Sequence, residues 1–240
     1  MATLTLHAPP LNILTCEVLR QLRHGLEEAQ QYRELRVLLI QAEGKHFSAG
    51  ASVEEHLPAK YREMLADFTR TILALYEFPL PVIAAVQGRC LGGGFELVQA
   101  ADLIVAADDA HFGQPEIQLG VIAPAACALL PNKLGPAKAA ELLYTGAMVP
   151  ASAAETAGMV LRVVPATELR AEALAVARQI ARHSAAAVRM TKRALRAGAH
   201  SIEPALAATC NVYEELMATH DAVEGLNAFV QKRTPQWTHH

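Results

Sequence analysis

Apolar and polar residues follow three distinct rhythms along this chain, and each predicts a different element. "TLTLHA" (3–8) alternates and predicts an edge strand, which "PPLN" then breaks. From Thr15 onward Val18, Leu19, Leu22, Leu26 and Ala29 recur at helical spacing, with Arg and Glu between them. Leu65, Phe68, Ile72 and Leu75 form a second helical stripe. "RVLLIQAE" (36–43) and "PVIAAVQG" (81–88) are continuous apolar runs of strand length, the pattern of strands covered on both faces. "DLIVAAD" and "AHFGQPE" predict two short strands, and "MVLRVVP" a last one. "GPAKAAELLYTG" places Pro136 at a helix start and Gly146 just past its end. Ser152 and Glu155 in "SAAETAG" have the spacing of a capping box. Beyond Pro165 the remainder reads as helices, with breaks near Ser184 and Ser201. Strands alternating with helices predict an α/β core over 1–183, and the helical remainder, 184–240, an appendage.

Composition narrows the function. With 240 residues, 52% of them hydrophobic, the chain can bury a large core. A net charge of −3 gives no attraction for nucleic acid or an anionic membrane. Arg20, Arg23, Arg33 and Arg36 interleave with Glu27, Glu28 and Glu34, which predicts a solvated mixed-charge face. Cys16, Cys90, Cys127 and Cys210 lack metal-ligand spacing and read as buried residues of a protein in a reducing compartment, the cytoplasm. "MATLTLHAPP" has no signal-peptide pattern, and no apolar run has membrane-spanning length.

One stretch does not fit an ordinary strand-to-helix turn. In "GRCLGGGFELVQAAD" (88–102) three consecutive glycines precede a helical run, although glycine weakens a helix start. Such a turn lets backbone N–H groups at the helix start face a ligand. It is neither GxGxxG nor a P-loop, and Ser48 in "KHFSAG" is not in a GxSxG context. "FSAGAS" supplies a second small-residue turn after a buried strand. Glu96 and Glu116 both stand in strongly apolar segments, where a glutamate requires a partner or a task. His56 and His111 read as surface or hydrogen-bonded core residues, and Cys90 and Cys127 as packing.

"HFSAGAS", "PVIAAVQGRCLGGGFEL" and "AHFGQPEIQLG", with "PPLN" before them and "EGLNAFVQKRTPQW" after, together resemble the crotonase superfamily, and within it the enoyl-CoA hydratases. The resemblance implies a spiral core of ββα units with a C-terminal helical region for trimers, often paired into hexamers. It implies an acyl-CoA thioester substrate, with coenzyme A part of the substrate and no separate cofactor or metal. Backbone N–H groups of Ala51 and Gly93 would grip the thioester oxygen, where one such donor is typically worth about 3–4 kcal/mol. Glu96 and Glu116 match the two catalytic glutamates, Glu96 activating water and Glu116 protonating Cα. Ala49, Ser52, Phe229 and Lys232 would border the acyl group or the CoA, the lysine near phosphate.

Two departures bear on the substrate. "GVIAPAACALLPNKLG" has Pro124, Ala125 and Ala126 where typical hydratases are glycine-rich, and Ser52 stands where an aspartate is usual. "VEEHLP", "GRCLGGG" and "FGQPEIQLGV" are similar to the cyclohexa-1,5-diene-1-carbonyl-CoA hydratases of aromatic degradation, which take a cyclic acyl group. An isomerase or thioester hydrolase of the superfamily, and a non-catalytic CoA- or RNA-binding module, are the alternatives. The paired glutamates argue against an isomerase and against the non-catalytic module.

Overall fold

Five predicted strands are present: β1 (Ala2–Leu6) from the alternating stretch, β2 (Leu38–Ala42) and β3 (Val82–Val86) from the two buried runs, and β5 (Leu103–Ala107) and β8 (Arg162–Val164). In the computed structural model, which describes residues 1–197 and 202–238, they form one parallel sheet in the order β1-β2-β3-β5-β8. Side chains alternate across it, as strand geometry requires. Leu38, Ile40, Val82, Ala84 and Ile104 enter the main core, while Val37, Leu39, Ile83, Ala85 and Val105 meet α7 (Leu169–Ala181) on the other face. Burial on both faces explains why the central strands are apolar throughout.

Each long strand is followed by a short step into a second layer. β4 (Arg89–Leu91) follows β3, β6 (His111–Gly113) follows β5, and both join β7 (Met148–Pro150) in a three-stranded sheet. After β2 a single parallel bridge, Ser48 to Cys90, takes the same place. Helices α2 (Tyr61–Tyr76) and α3 (Gly93–Gln99) complete their units, so the strand, short strand and helix repeat is the ββα spiral that the family resemblance implies. α1 (Cys16–Gln30) begins where expected, with the Thr15 hydroxyl accepting from the Val18 N–H. α5 (Pro136–Thr145) ends on Gly146 in the left-handed conformation.

Several expectations need correction. The Ser152–Glu155 capping box does not form: the N-cap of α6 (Ala151–Thr156) is Pro150, two residues earlier, and Glu155 Oε1 accepts from the Val163 N–H instead. The mixed-charge face of α1 is present, with Arg20, Glu27 and Glu28 exposed and Arg20 Nη1 3.9 Å from Glu17, but two of its arginines also tie the helix to α2. Arg23 is largely covered and its guanidinium donates to Asp67 Oδ1 at 2.9 Å on α2, while Arg20 donates to Asp67 and Glu63. α4 (Pro124–Leu134), β4 and β7 were not legible in the apolar pattern.

The C-terminal part comprises α7, α8 (Ala185–Ala197), α9 (Ile202–Met217) and α10 (His220–Val230). The break near Ser184 is present, whereas the one at Ser201 lies outside the described residues. Ile202 and Leu206 join the main core, and Tyr213 and Met217 pack with Tyr61, Leu65, Val121 and Leu226. α8 is fastened by charge: Lys192 donates to Asp102 Oδ2 at 2.7 Å and to Leu80 O, and Arg196 donates to Asp102 Oδ1 at 2.8 Å.

Candidate active site

The two small-residue turns lie side by side because they are hydrogen-bonded as strands. The Ser48 N–H donates to Arg89 O and the Leu91 N–H donates to Ser48 O. Asn12 clamps the first turn from below. Its Nδ2 donates to Glu43 O and His46 O, its Oδ1 accepts from the Ala8 N–H, and its own carbonyl accepts from Ser48 Oγ. Ser48 Oγ in turn accepts from the Gly50 N–H at 3.1 Å. Asn12 adopts a positive φ of 50°, which Asn tolerates better than most residues. The sequence gives "PPLN" as a strand breaker and as part of the family resemblance but assigns Asn12 no role; the signal is an Asn at the end of a strand, a residue type suited to local backbone capping.

These bonds leave two N–H groups over. Gly50 O accepts from Leu14 N–H and the Ser52 N–H donates to Leu14 O, so the Ala51 N–H between them points away from that strand. Gly93 is the first residue of α3 and its N–H has no intrahelical acceptor. Neither N–H has a partner among the described residues. They face one opening: a Cβ on Gly93 would lie 3.1 Å from the Ala51 nitrogen and 3.0 Å from Phe68 Cε2. Gly92 is needed for a different reason. At φ 51°, a Cβ there would lie 2.6 Å from Glu116 Oε1. The glycine run therefore admits a carboxyl group at one residue and exposes an N–H at the next.

Both glutamates line the same cavity of about 350 Å³, with Ala49, Ala51, Gly93 and Phe229. Ser52 and Lys232 are not among its lining residues. Lys232 is exposed, and the tail cation beside the cavity is Arg233, held by Glu224. Glu96 comes from α3 and is met by the start of α4: Ala126 N–H donates to Glu96 Oε1 at 3.0 Å, and the Ala125 backbone supports the charged form in the same way. Burial still pushes its carboxyl up to about 7. Glu116 sits in a 3-10 turn, Pro115–Leu119. Burial, and then the neighbouring Glu96 charge, push it well above the usual carboxylate range. Its Oε2 is buried without a hydrogen-bond partner. Two such groups titrate as a pair, and the backbone donors favour the charge on Glu96.

His56 also lines the cavity; its Nδ1 donates to Ser52 O at 2.7 Å, and burial lowers its pKa. His111 is exposed and lies outside the cavity. Cys90 is buried in the core; Cys127 borders a second cavity of about 330 Å³ that shares Glu116, Val121 and Ile122 with the first. Tyr213 from α9 also lines the first cavity, and the sequence does not single it out because it falls on the apolar stripe of its helix.

The arrangement can hold a polarised carbonyl oxygen on two N–H groups while one carboxylate and one carboxylic acid exchange protons with a reactant beside it. Known proteins agree with that chemistry. A cyclohexa-1,5-dienecarbonyl-CoA hydratase of Thauera aromatica is 42% identical over 237 residues, covering 98% of this chain and 91% of that protein. A probable enoyl-CoA hydratase of Mycobacterium bovis is 39% identical over 240 residues, covering 98% and 93%. The crystal structure of an enoyl-CoA hydratase from Mycobacterium avium subsp. paratuberculosis superposes with a TM-score of 0.88 at 30% identity, covering 98% of this chain and 94% of that one. The family profile for enoyl-CoA hydratase/isomerase matches residues 1–240, and the chain belongs to that family.

Proposed function

We propose that the protein is a hydro-lyase that adds water across the conjugated double bond of an enoyl-CoA thioester. The observation that carries this reading is the pair of buried glutamates sharing one cavity with the two unpartnered N–H groups. Ionised Glu96 takes a proton from water as its oxygen bonds to Cβ. The electron pair of the double bond moves toward the thioester, and the resulting enolate oxygen rests on the Ala51 and Gly93 N–H groups. Protonated Glu116 then delivers its proton to Cα. The net change is one water added, and proton transfer between the carboxyl groups restores the start. The division of labour follows the environments: Glu96 receives backbone N–H donors, whereas Glu116 Oε2 has none.

The acyl group we favour is a cyclic dienoyl. The support is the Thauera relative's name together with Pro124, Ala125 and Ala126, which replace a glycine-rich stretch and begin α4 against Glu96. That acyl chemistry supports a role in aromatic degradation. The cytoplasmic assignment rests on four free cysteines. Among the described residues no helix is long and apolar enough to cross a membrane.

The test is the loss of enoyl thioester absorbance with crotonyl-CoA and, separately, with cyclohexa-1,5-dienecarbonyl-CoA. Turnover of the cyclic substrate well above crotonyl-CoA supports the full reading. Preference for crotonyl-CoA removes the cyclic assignment, and hydration of neither removes the function. The rate should rise with pH around an apparent value near 7 as Glu96 ionises, and fall at higher pH as the second proton leaves the pair.

A further inference from the structure

Tyr213 is 1% exposed and lines the cavity that holds Glu96 and Glu116, yet its Oη has no hydrogen-bond partner among the described residues. The ring itself is well packed. Its centroid lies 6.1 Å from that of Tyr61 and 6.3 Å from that of His56, within a cluster of Leu65, Val121, Met217 and Leu226. A phenylalanine would satisfy that packing without a buried, unpaired hydroxyl. An orphaned buried donor is a cost, so the hydroxyl needs a partner in the working enzyme. His56 does not supply one, since its Nδ1 is committed to Ser52 O and no bond joins its ring to Oη.

The remaining polar partners arrive with the reactants, and this step rests on the hydratase reading above. On that reading the thioester oxygen is held by Ala51 and Gly93, and the rest of an enoyl group is hydrocarbon. The oxygen left for Tyr213 is the one being added, first as water and then as the product hydroxyl. Burial raises the phenol's pKa, with the Glu96 and Glu116 charges adding to the effect, so the group stays protonated and able to donate.

We propose that Tyr213 Oη hydrogen-bonds the oxygen that is added to the substrate, as a third partner beside the two glutamates. The C-terminal helix α9 thereby contributes to the chemistry of its own chain. Because the bond is made to the added oxygen and not to the enoyl group, it acts on the hydration step and on binding of the hydroxyacyl product, and not on binding of the enoyl-CoA.

Tyr213→Phe removes this one atom and tests the idea. The variant should lose about tenfold in kcat, with KM for the enoyl-CoA within about twofold, because one hydrogen bond is lost after substrate binding. The matching hydroxyacyl-CoA should inhibit it about tenfold more weakly. Its melting temperature should be equal or higher, because an unpaired hydroxyl has been removed. The probes are crotonyl-CoA, cyclohexa-1,5-dienecarbonyl-CoA and the hydroxy product of whichever the wild type hydrates. Wild-type kcat and product inhibition in the variant would overturn the proposal, as would a rate loss without weaker product binding or a clear fall in melting temperature. Wild-type protein that hydrates neither thioester would instead remove the hydratase reading, and this role with it.

Discussion

At the scale of single residues, the Glu96–Glu116 pair makes activity and stability pull in opposite directions. Burial raises Glu96 from an ordinary 4.5 to about 7, so the folded state binds its proton more tightly than the unfolded state. Its contribution is fully present below about 4.5 and is lost as pH rises toward 7, because over that window the native state holds more protons. A shift of this size corresponds to on the order of 3 kcal/mol. Glu96→Gln should therefore melt at a higher temperature than wild type at pH 8, with the gain vanishing near pH 4, while hydration falls by about 10²–10⁴. Glu116→Gln should lose a similar factor in kcat, and the double variant less than the product of the two, because the groups act as a unit. Melting scans at the two pH values with steady-state kinetics check this; a single variant with near wild-type turnover rules out the two-carboxylate mechanism. The oxyanion site gives a second residue-scale test. Gly93→Pro deletes the N–H, and even Gly93→Ala brings a methyl within 3.1 Å of the Ala51 nitrogen, inside the opening itself. Both should lose about 10²–10³ in kcat with the circular dichroism spectrum retained. Wild-type rates in a folded proline variant would mean that the thioester oxygen is held elsewhere.

At the scale of elements, α8 hangs on one carboxylate. Asp102 faces Lys192, whose side chain is 7% exposed, and Arg196, which also stacks over the Tyr76 ring at 3.5 Å. Lys133 nearby is pushed down to about 8 by burial, and Arg196 and Lys192 add to that effect. Asp102→Asn removes the anion and leaves the cations facing one another, which should cost about 3 kcal/mol or more. The loss should appear as a lower melting temperature and faster amide exchange confined first to 185–197; unchanged exchange there would show that packing alone holds the helix. The same cluster shows what a linear pattern conveys and what it does not. Strands β2, β3 and β5 were legible because burial on both faces leaves an unbroken apolar run, and α1 and α2 because one face is polar. α4 was not, since "PAACALLPNKL" has no polar side until its last turn and carries two prolines, Pro124 at a tolerated first-turn position and Pro131 inside the helix. The Ser152–Glu155 spacing misled because Pro150 already fixes the helix start. The glutamates and the glycine turn were legible as anomalies in apolar surroundings. Asn12, Arg233 and Tyr213 were not, because each gains its place from residues distant in sequence.

At the scale of the molecule, the C-terminal helices leave several large apolar side chains uncovered. Along α9, Ile202 and Leu206 are buried in the chain's own core and Leu216 is half-buried, while Val212 is 51% exposed. The uncovered apolar surface lies elsewhere on the C-terminal helices, at Met190, Leu195, Phe229 and Val230. Leu195 is 72% exposed, and Phe229 lines the active cavity while remaining 54% exposed, so part of the cavity wall is itself open. The large exposed apolar side chains of α8 and α10 offer surface for a partner to cover. We propose that copies of this chain pack through these helices, as trimers or paired trimers, and in doing so cover Phe229 at the cavity. Sedimentation at micromolar concentration should give three or six times the 25.8 kDa chain mass. Leu195→Glu should shift the protein toward smaller species with its helical content intact, because the substitution alters a side chain that the fold itself does not bury. If association also closes the cavity, the same variant should show a raised KM for the acyl-CoA with its melting profile little changed at high protein dilution. A single-chain mass for the wild type at these concentrations overturns the assembly, and a dissociated Leu195→Glu protein with wild-type KM shows that the cavity is complete within one chain.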